Sequence, residues 1–332
     1  MKLKSLRHLA LSFDDIPIPE FVGSLKNLQY LKISGGLIIP PSIGNLSSLR
    51  YLAFESTSLV VHSLKWVTGL VSLKHLEFYQ VDLSLVGSDW IQILSRLPSL
   101  TELRMSSCSL SGPLPSHTFL NFTSLAMLDL SFNDSCQLYG RIPLGLAELP
   151  SLKFLSLSWN ENLTASCSQF FRGKWEKIRV LSLSENKLHG KLPSSIGNMT
   201  FLSDLDLSSN HVEGGIPSSL GKLCNLTSFD VSSNNLDGTL PEFVEGTQNC
   251  LSSLKVLDLS NNRLVGRIPE WLGQLKSIVT LSLEKNSIYG PIPAQLGSLQ
   301  TLVHLKLRLN NLNGTLPNSL GQLSELSTLD IF

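Results

Sequence analysis

Residues 251–274, LSSLKVLDLSNNRLVGRIPEWLGQ, hold one complete copy of the unit from which the chain is built. Leu251, Leu254, Leu257 and Leu259 come first, followed by Asn262, Leu264, Gly266, Ile268 and Pro269. In Leu257-Asp258-Leu259 apolar residues alternate with an outward one, the period of a short strand with one buried and one solvated face. Asn262 stands at the turn after that strand, where buried backbone groups need partners and a side-chain amide can both donate and accept. Gly266 permits a backbone turn that other residues resist, and Pro269 opposes helix, so a second extended segment is expected after the turn.

Aligned on itself at a period of about 24 residues, the chain repeats this pattern along its whole length. Successive copies start at Leu3, Leu25, Leu46, Leu70, Leu97, Phe122, Leu149, Trp175, Met199, Leu223, Leu251, Leu275 and Leu299, and a partial copy starts at Leu323. No copy can bury its own leucines, so each must cover its neighbour, and stacked strands make a parallel sheet. The expected fold is an α/β repeat solenoid, a single domain over 1–332 with 13 repeats, a partial one and no terminal caps. Leu323, Leu326, Leu329 and Ile331 are expected at an uncovered end.

Asn133, Asn160, Asn186, Asn210, Asn234, Asn262, Asn286 and Asn310 fill the Asn column, while the first five copies carry Asp14, Gly36, Thr57, Val81 and Cys108 there. That half is expected to be less regular in backbone, with Cys108 an accepted substitute. Gly-x-[IL]-Pro recurs at Gly112, Gly140, Gly190, Gly214, Gly238, Gly266, Gly290 and Gly314. The fourth copy differs: Ser88-Asp89 before Trp90-Ile91-Gln92-Ile93-Leu94 reads as an N-cap and a short amphipathic helix.

With zero formal net charge and 16% charged residues, the chain lacks the basic excess that nucleic-acid binding needs. Met1–Leu11 has no secretory apolar core, and no run approaches roughly eighteen apolar residues. No phosphate loop, nucleophile elbow, H-E-x-x-H motif or suitably spaced carboxylate pair is present. His8, His75 and His304 occur singly at outward strand positions. The chain is therefore read as a non-enzyme that uses no cofactor and no metal.

The L-x-G-x-I-P phrase after the Asn column resembles the plant-specific class of leucine-rich repeats, over essentially the whole chain. The stretches IPSSLGKLCNLTSFDVSSNNLDGTLPEFVEGTQNC from Ile216 and LNGTLPNSLGQLSEL from Leu312 resemble kinase-lacking plant receptor-like proteins of the disease-resistance and xylanase-receptor type. That resemblance implies a right-handed superhelix with its parallel sheet on the concave face. It also implies part of a ligand-recognition ectodomain at the extracellular face of the plasma membrane, in defence or developmental signalling, with a peptide or protein ligand and a co-receptor kinase as partners. Such proteins begin with a signal peptide and a cysteine-paired cap and end with a membrane span; without these, the chain reads as a fragment. Two other readings stay open: a secreted inhibitor of a microbial cell-wall-degrading enzyme, as in polygalacturonase-inhibiting proteins, and an intracellular leucine-rich-repeat scaffold.

Seven N-x-[ST] sequons occur. Asn45, Asn121, Asn162, Asn198, Asn225 and Asn313 are the expected glycosylation sites, whereas Asn133 lies in the buried column and is expected to be unavailable. Cys224 and Cys250 bracket one repeat and are the candidate disulfide; Cys136 and Cys167 form a weaker pair. Asp129, Asp206, Asp230 and Asp258, with Ser131, Ser208, Ser232 and Ser260, belong to a recurring L-D-[LV]-S phrase and read as a solvated polar face. Ligand contacts are sought where strand positions depart from that phrase, because aromatic and Arg side chains dominate binding energy. Tyr30, Lys32, Tyr51, Glu55, His75, Glu77, Tyr79, Glu102, Arg104, Phe154 and Trp159 form one such track, and Glu284, His304, Lys306 and Arg308 a charged cluster near the other end.

Overall fold

The computed structural model describes residues 3, 5–14, 16–114, 118–133, 138–241 and 250–331. Two compact units divide the chain, Met1–Thr164 and Ala165–Phe332. Both are built in the same way.

In the first unit, the strands His8–Phe13, Tyr30–Gly35, Tyr51–Glu55, His75–Tyr79, Glu102–Ser106, Met127–Asp129 and Phe154–Ser156 form a parallel sheet in chain order. The register runs His8, Tyr30, Tyr51, His75, Glu102, Met127, Phe154, so each repeat position becomes a column across the sheet. The next column, Leu31, Leu52, Leu76, Leu103, Leu128 and Leu155, is buried to 0% exposure. Outward residues thus alternate with a continuous leucine core, as the period of two requires. Deeper in that core the Phe54 and Phe78 rings stack at 5.4 Å.

The second unit repeats the arrangement with Val180–Ser182, Asp204–Asp206, Ser228–Asp230, Val256–Asp258, Thr280–Ser282, His304–Lys306 and Thr328–Asp330. Its core column is Leu181, Leu205, Phe229, Leu257, Leu281 and Leu305, all buried.

The Asn column does what its chemistry allows. Asn133, fully buried, accepts the backbone N–H groups of Cys108 and Leu110 at 2.9 and 3.1 Å. Its amide nitrogen donates to the carbonyls of Met105, Leu130 and Ser131. Asn210, Asn234, Asn262, Asn286 and Asn310 tie their turns to the repeat before them in the same way, and Asn160 does so through its nitrogen. In the first five copies other atoms serve: Ser56 Oγ, beside the exposed Thr57, accepts from Ser58 and Leu59, and the Cys108 thiol donates to the carbonyls of Phe78 and Ser106. These five copies have the longest face strands, five or six residues. The Asn copies have three-residue strands, since their amides take the carbonyls that follow.

Behind the turn, Gly-x-[IL]-Pro copies do make second strands. Gly112–Pro113 and Leu138–Arg141 pair in the first unit; in the second, Lys187–Lys191, His211–Gly214 and Asn235–Leu236 pair, as do Val265–Gly266, Ser287–Gly290 and Asn311–Leu312. Asn162–Ser166 joins this layer without the glycine motif, pairing with Leu138–Arg141. In many copies a 3₁₀ turn follows, with the extended Pro just ahead of it, as Pro217 precedes Ser218–Lys222. These turns stack so closely that a Cβ on Gly273 would sit 2.4 Å from the carbonyl oxygen of Gln295.

Trp90–Leu94 is helical, but Asp89 makes no side-chain capping bond: its own backbone is already helical, at φ −88° and ψ 0°, so its carboxylate does not sit as a cap does. Cys224 and Cys250 form a disulfide. Cys136 lies outside the described residues, and its suggested partner Cys167, like Cys108, is a buried free thiol.

Candidate ligand-binding face

The first outward column of the first unit begins with four consecutive rings. His8, Tyr30, Tyr51 and His75 stack in a ladder, with centroids 4.0, 4.3 and 4.3 Å apart and planes within 10° of parallel. The strand spacing of about 4.8 Å sets this distance, because parallel in-register strands place like side chains one above another. Burial, reinforced by the Glu77 charge and by Tyr30, pushes the Tyr51 hydroxyl up to about 12.

At the end of the ladder His75 is held between carboxylates, Nδ1 at 2.8 Å from Glu102 and Nε2 at 3.1 Å from Glu77. The His75 hydrogen bond holds the Glu77 carboxyl below its ordinary value against the opposing effect of burial. Arg104 lies 3.8 Å from Glu102 and its Nε 3.1 Å from the Met127 sulfur. Lys32 and Glu55 pair at 3.4 Å. Tyr79 stands opposite Glu55 in the last outward column and is 39% exposed. Tyr30, Lys32, Tyr51, Glu55, His75, Glu77, Tyr79, Glu102 and Arg104 thus share one sheet face.

Phe154 is half-buried, beyond Met127 in the ladder column. Trp159 belongs elsewhere: it follows its strand in left-handed backbone (φ 57°) and stacks at 5.6 Å on Phe132, which has the same conformation. Both rings are exposed, 42% and 48%. The sequence reading left Phe132 and His8 off the track that holds Tyr30, Tyr51 and His75; the column register adds His8 to it.

In the second unit Arg308 bridges Glu284 at 3.7 Å and Asp330 at 3.6 Å. His304 Nδ1 lies 3.0 Å from the Thr328 hydroxyl. Lys306 stands between Ser282 and Asp330 in register. The recurring Asp-x-Ser phrase proves to be a turn device, since each carboxylate accepts the N–H of the serine two residues on, at 2.9 to 3.0 Å. Asp230, flanked by Asp206 and Asp258, has its carboxyl raised by burial and further by those two charges.

Among the sequons, Asn45, Asn121, Asn198, Asn225 and Asn313 are exposed, and Asn162 is half-buried. Asn45, Asn121 and Asn198 end 3₁₀ turns, away from the strand columns. Among the described residues, no helix is long and apolar enough to cross a membrane.

Comparison with known proteins agrees with this architecture. Leucine-rich-repeat family models match residues 224–288 and, separately, 99–119, 177–199 and 201–223. Receptor-like protein EIX1 of Solanum lycopersicum is 32% identical over 214 residues, 62% of this chain and 18% of that protein. Receptor-like protein 6 of Arabidopsis thaliana is 35% identical over 107 residues, 32% of this chain and 10% of that one. The chain thus spans only a small part of these relatives. Among solved structures, the plant peptide hormone receptor RGFR1 in complex with RGF2 superposes with a TM-score of 0.80 at 30% identity, over 94% of this chain and 49% of that one. The PEPR1–AtPEP1 complex gives 0.76 at 29% identity, over 99% and 48%. The HAESA ectodomain of Arabidopsis with its IDA peptide hormone gives 0.72 at 27%, over 99% and 58%.

Proposed function

We propose that this leucine-rich-repeat solenoid, which has plant receptor-like proteins among its relatives, serves as part of the ligand-recognition ectodomain of a cell-surface receptor. It binds a peptide or protein across its strand face, in defence or developmental signalling, and a co-receptor kinase reads the bound state. The observation that carries this reading is the stacked ring ladder continuous with the His75, Glu77, Glu102 and Arg104 network. Rigid aromatic rings and a forked guanidinium on a fixed sheet make contacts at low entropic cost. Solved relatives hold peptides: RGFR1 is in complex with RGF2, and HAESA with IDA. Exposed sequons off the sheet columns fit an extracellular setting in which glycans leave the strand face bare.

Selection of a displayed random-peptide library on the glycosylated chain tests the reading. Enriched peptides should lose at least about tenfold in affinity when Tyr51, Tyr79 and Arg104 are replaced together by Ala, since each is an aromatic or Arg anchor. Unchanged affinity in a variant that still melts cooperatively would remove this face as the site.

A further inference from the structure

We infer that the ligand of the first unit is an acidic peptide, drawn to a cationic row, Arg7, Arg50 and Lys74, that runs beside the ring ladder. The inference rests on the strand-face reading above and supplies its ligand chemistry.

The row is fixed by backbone register. Arg7 O accepts the N–H groups of Gln29 and Tyr30, Gln29 O those of Arg50 and Tyr51, and Arg50 O those of Lys74 and His75. Arg7, Gln29, Arg50 and Lys74 therefore stand one strand apart, each immediately ahead of a ladder residue. Consecutive strands lie about 4.8 Å apart, so the three cations span about 15 Å, the reach of four to five extended peptide residues. All three are exposed.

Charge on the two sides of the ladder is unequal in commitment. The carboxylates on these outward columns already have partners within the fold: Glu55 pairs with Lys32, Glu77 and Glu102 share His75, Glu102 also lies near Arg104, and Asp129 accepts the N–H and hydroxyl of Ser131. No carboxylate among the described residues pairs with Arg7, Arg50 or Lys74. A cationic ligand would meet acids that already have partners. An anionic one meets cations that no carboxylate among the described residues pairs with, and the complementary field speeds and orients its docking.

The ladder favours a peptide over an acidic saccharide. Sugars stack on open ring faces, and here the faces are closed against one another at 4.0 to 4.3 Å. Ring edges and tyrosine hydroxyls remain, and these suit amide groups and carboxylate side chains.

The test uses fluorescence anisotropy of the labelled peptide EEYEEYEE with the whole glycosylated chain at low and high salt. The expected result is binding that weakens with salt, falls about tenfold or more for the glutamine counterpart QQYQQYQQ, and falls similarly in Arg7→Gln/Arg50→Gln/Lys74→Gln, since each exposed pairing is worth up to about fivefold. These surface substitutions should leave the melting temperature unchanged, so loss of binding is not loss of fold. Absence of binding, equal binding of both peptides, indifference of the triple variant, or preferential binding of polygalacturonate overturns the inference. Library peptides that depend on Tyr51, Tyr79 and Arg104 but carry no acidic residues overturn it while leaving the strand-face reading intact.

Discussion

The side-chain oxygen of Asn210 accepts the backbone N–H of Leu188, in the repeat before it, at 2.8 Å. Its amide nitrogen donates to the carbonyls of Leu183 and Leu207 at 2.9 and 3.0 Å. Asn210→Ala strands these backbone groups without partners in a buried turn and should cost about 2–4 kcal/mol in urea unfolding. Asn210→Asp should also destabilise near neutral pH, because a carboxylate accepts but cannot donate. A loss under about 0.5 kcal/mol, the range of an ordinary surface substitution, would mean that the column does not couple the repeats.

Glycines separate into two kinds with different expected costs. A Cβ on Gly273 meets the Gln295 backbone at 2.4 Å, so Gly273→Ala must push two stacked turns apart and should cost about 2–3 kcal/mol. Gly238 has φ +77° and open space around the added carbon, so Gly238→Ala should cost only the left-handed conformational penalty, about 1 kcal/mol. Thermal unfolding of the two variants checks the order; Gly238→Ala as the more damaging change would contradict the packing.

Two carboxylates should give opposite pH signatures. Glu77 is held below its ordinary value, so its contribution is present above about pH 4.3 and fades as acidity passes through its lower folded value. Glu77→Gln should flatten that acid-side loss. Asp230 is raised, so above about pH 3.9 the unfolded chain gives up this proton first and folding is penalised increasingly as pH climbs through the folded value. Asp230→Asn keeps an acceptor for the Ser232 N–H and should raise the melting temperature by about a degree or two at pH 7, with the gain vanishing near pH 3. A pH-independent gain would show that charge is not its cause.

Repeat architecture was legible because its causes are local. The Leu257-Asp258-Leu259 alternation, the amide after it and the Gly-Pro phrase each state a backbone requirement within a single copy. Contacts between copies were not legible in the same way. His8, Tyr30, Tyr51 and His75 stand at the same offset from their repeat starts, but their ring stacking becomes visible only in the folded sheet. Trp159 was expected on the same track as the tyrosines, yet its strand ends at Ser156 and Trp159 itself is left-handed. Ser56 displaced Thr57 as the turn's acceptor because a hydroxyl one residue earlier reaches the same kind of donor. Asp330 escaped notice in an incomplete repeat, although it completes the Arg308 pair.

Glycan occupancy tests register and setting together. Asn45, Asn121 and Asn198 are exposed at the ends of 3₁₀ turns, and Asn225 is exposed two residues after Leu223. Asn133 carries the same sequon, but all of its side chain is engaged: two N–H groups come to its oxygen and three carbonyls take its nitrogen. A glycan there would have to replace one amide hydrogen of a fully buried group, so the folded chain cannot carry it. Glycopeptide mapping of protein secreted from plant cells should therefore find sugar on Asn45, Asn121, Asn198 and Asn225 and none on Asn133. Modification of Asn133 would mean the column forms after glycosylation or not at all, and a chain with every site bare would take away the extracellular support for the receptor reading.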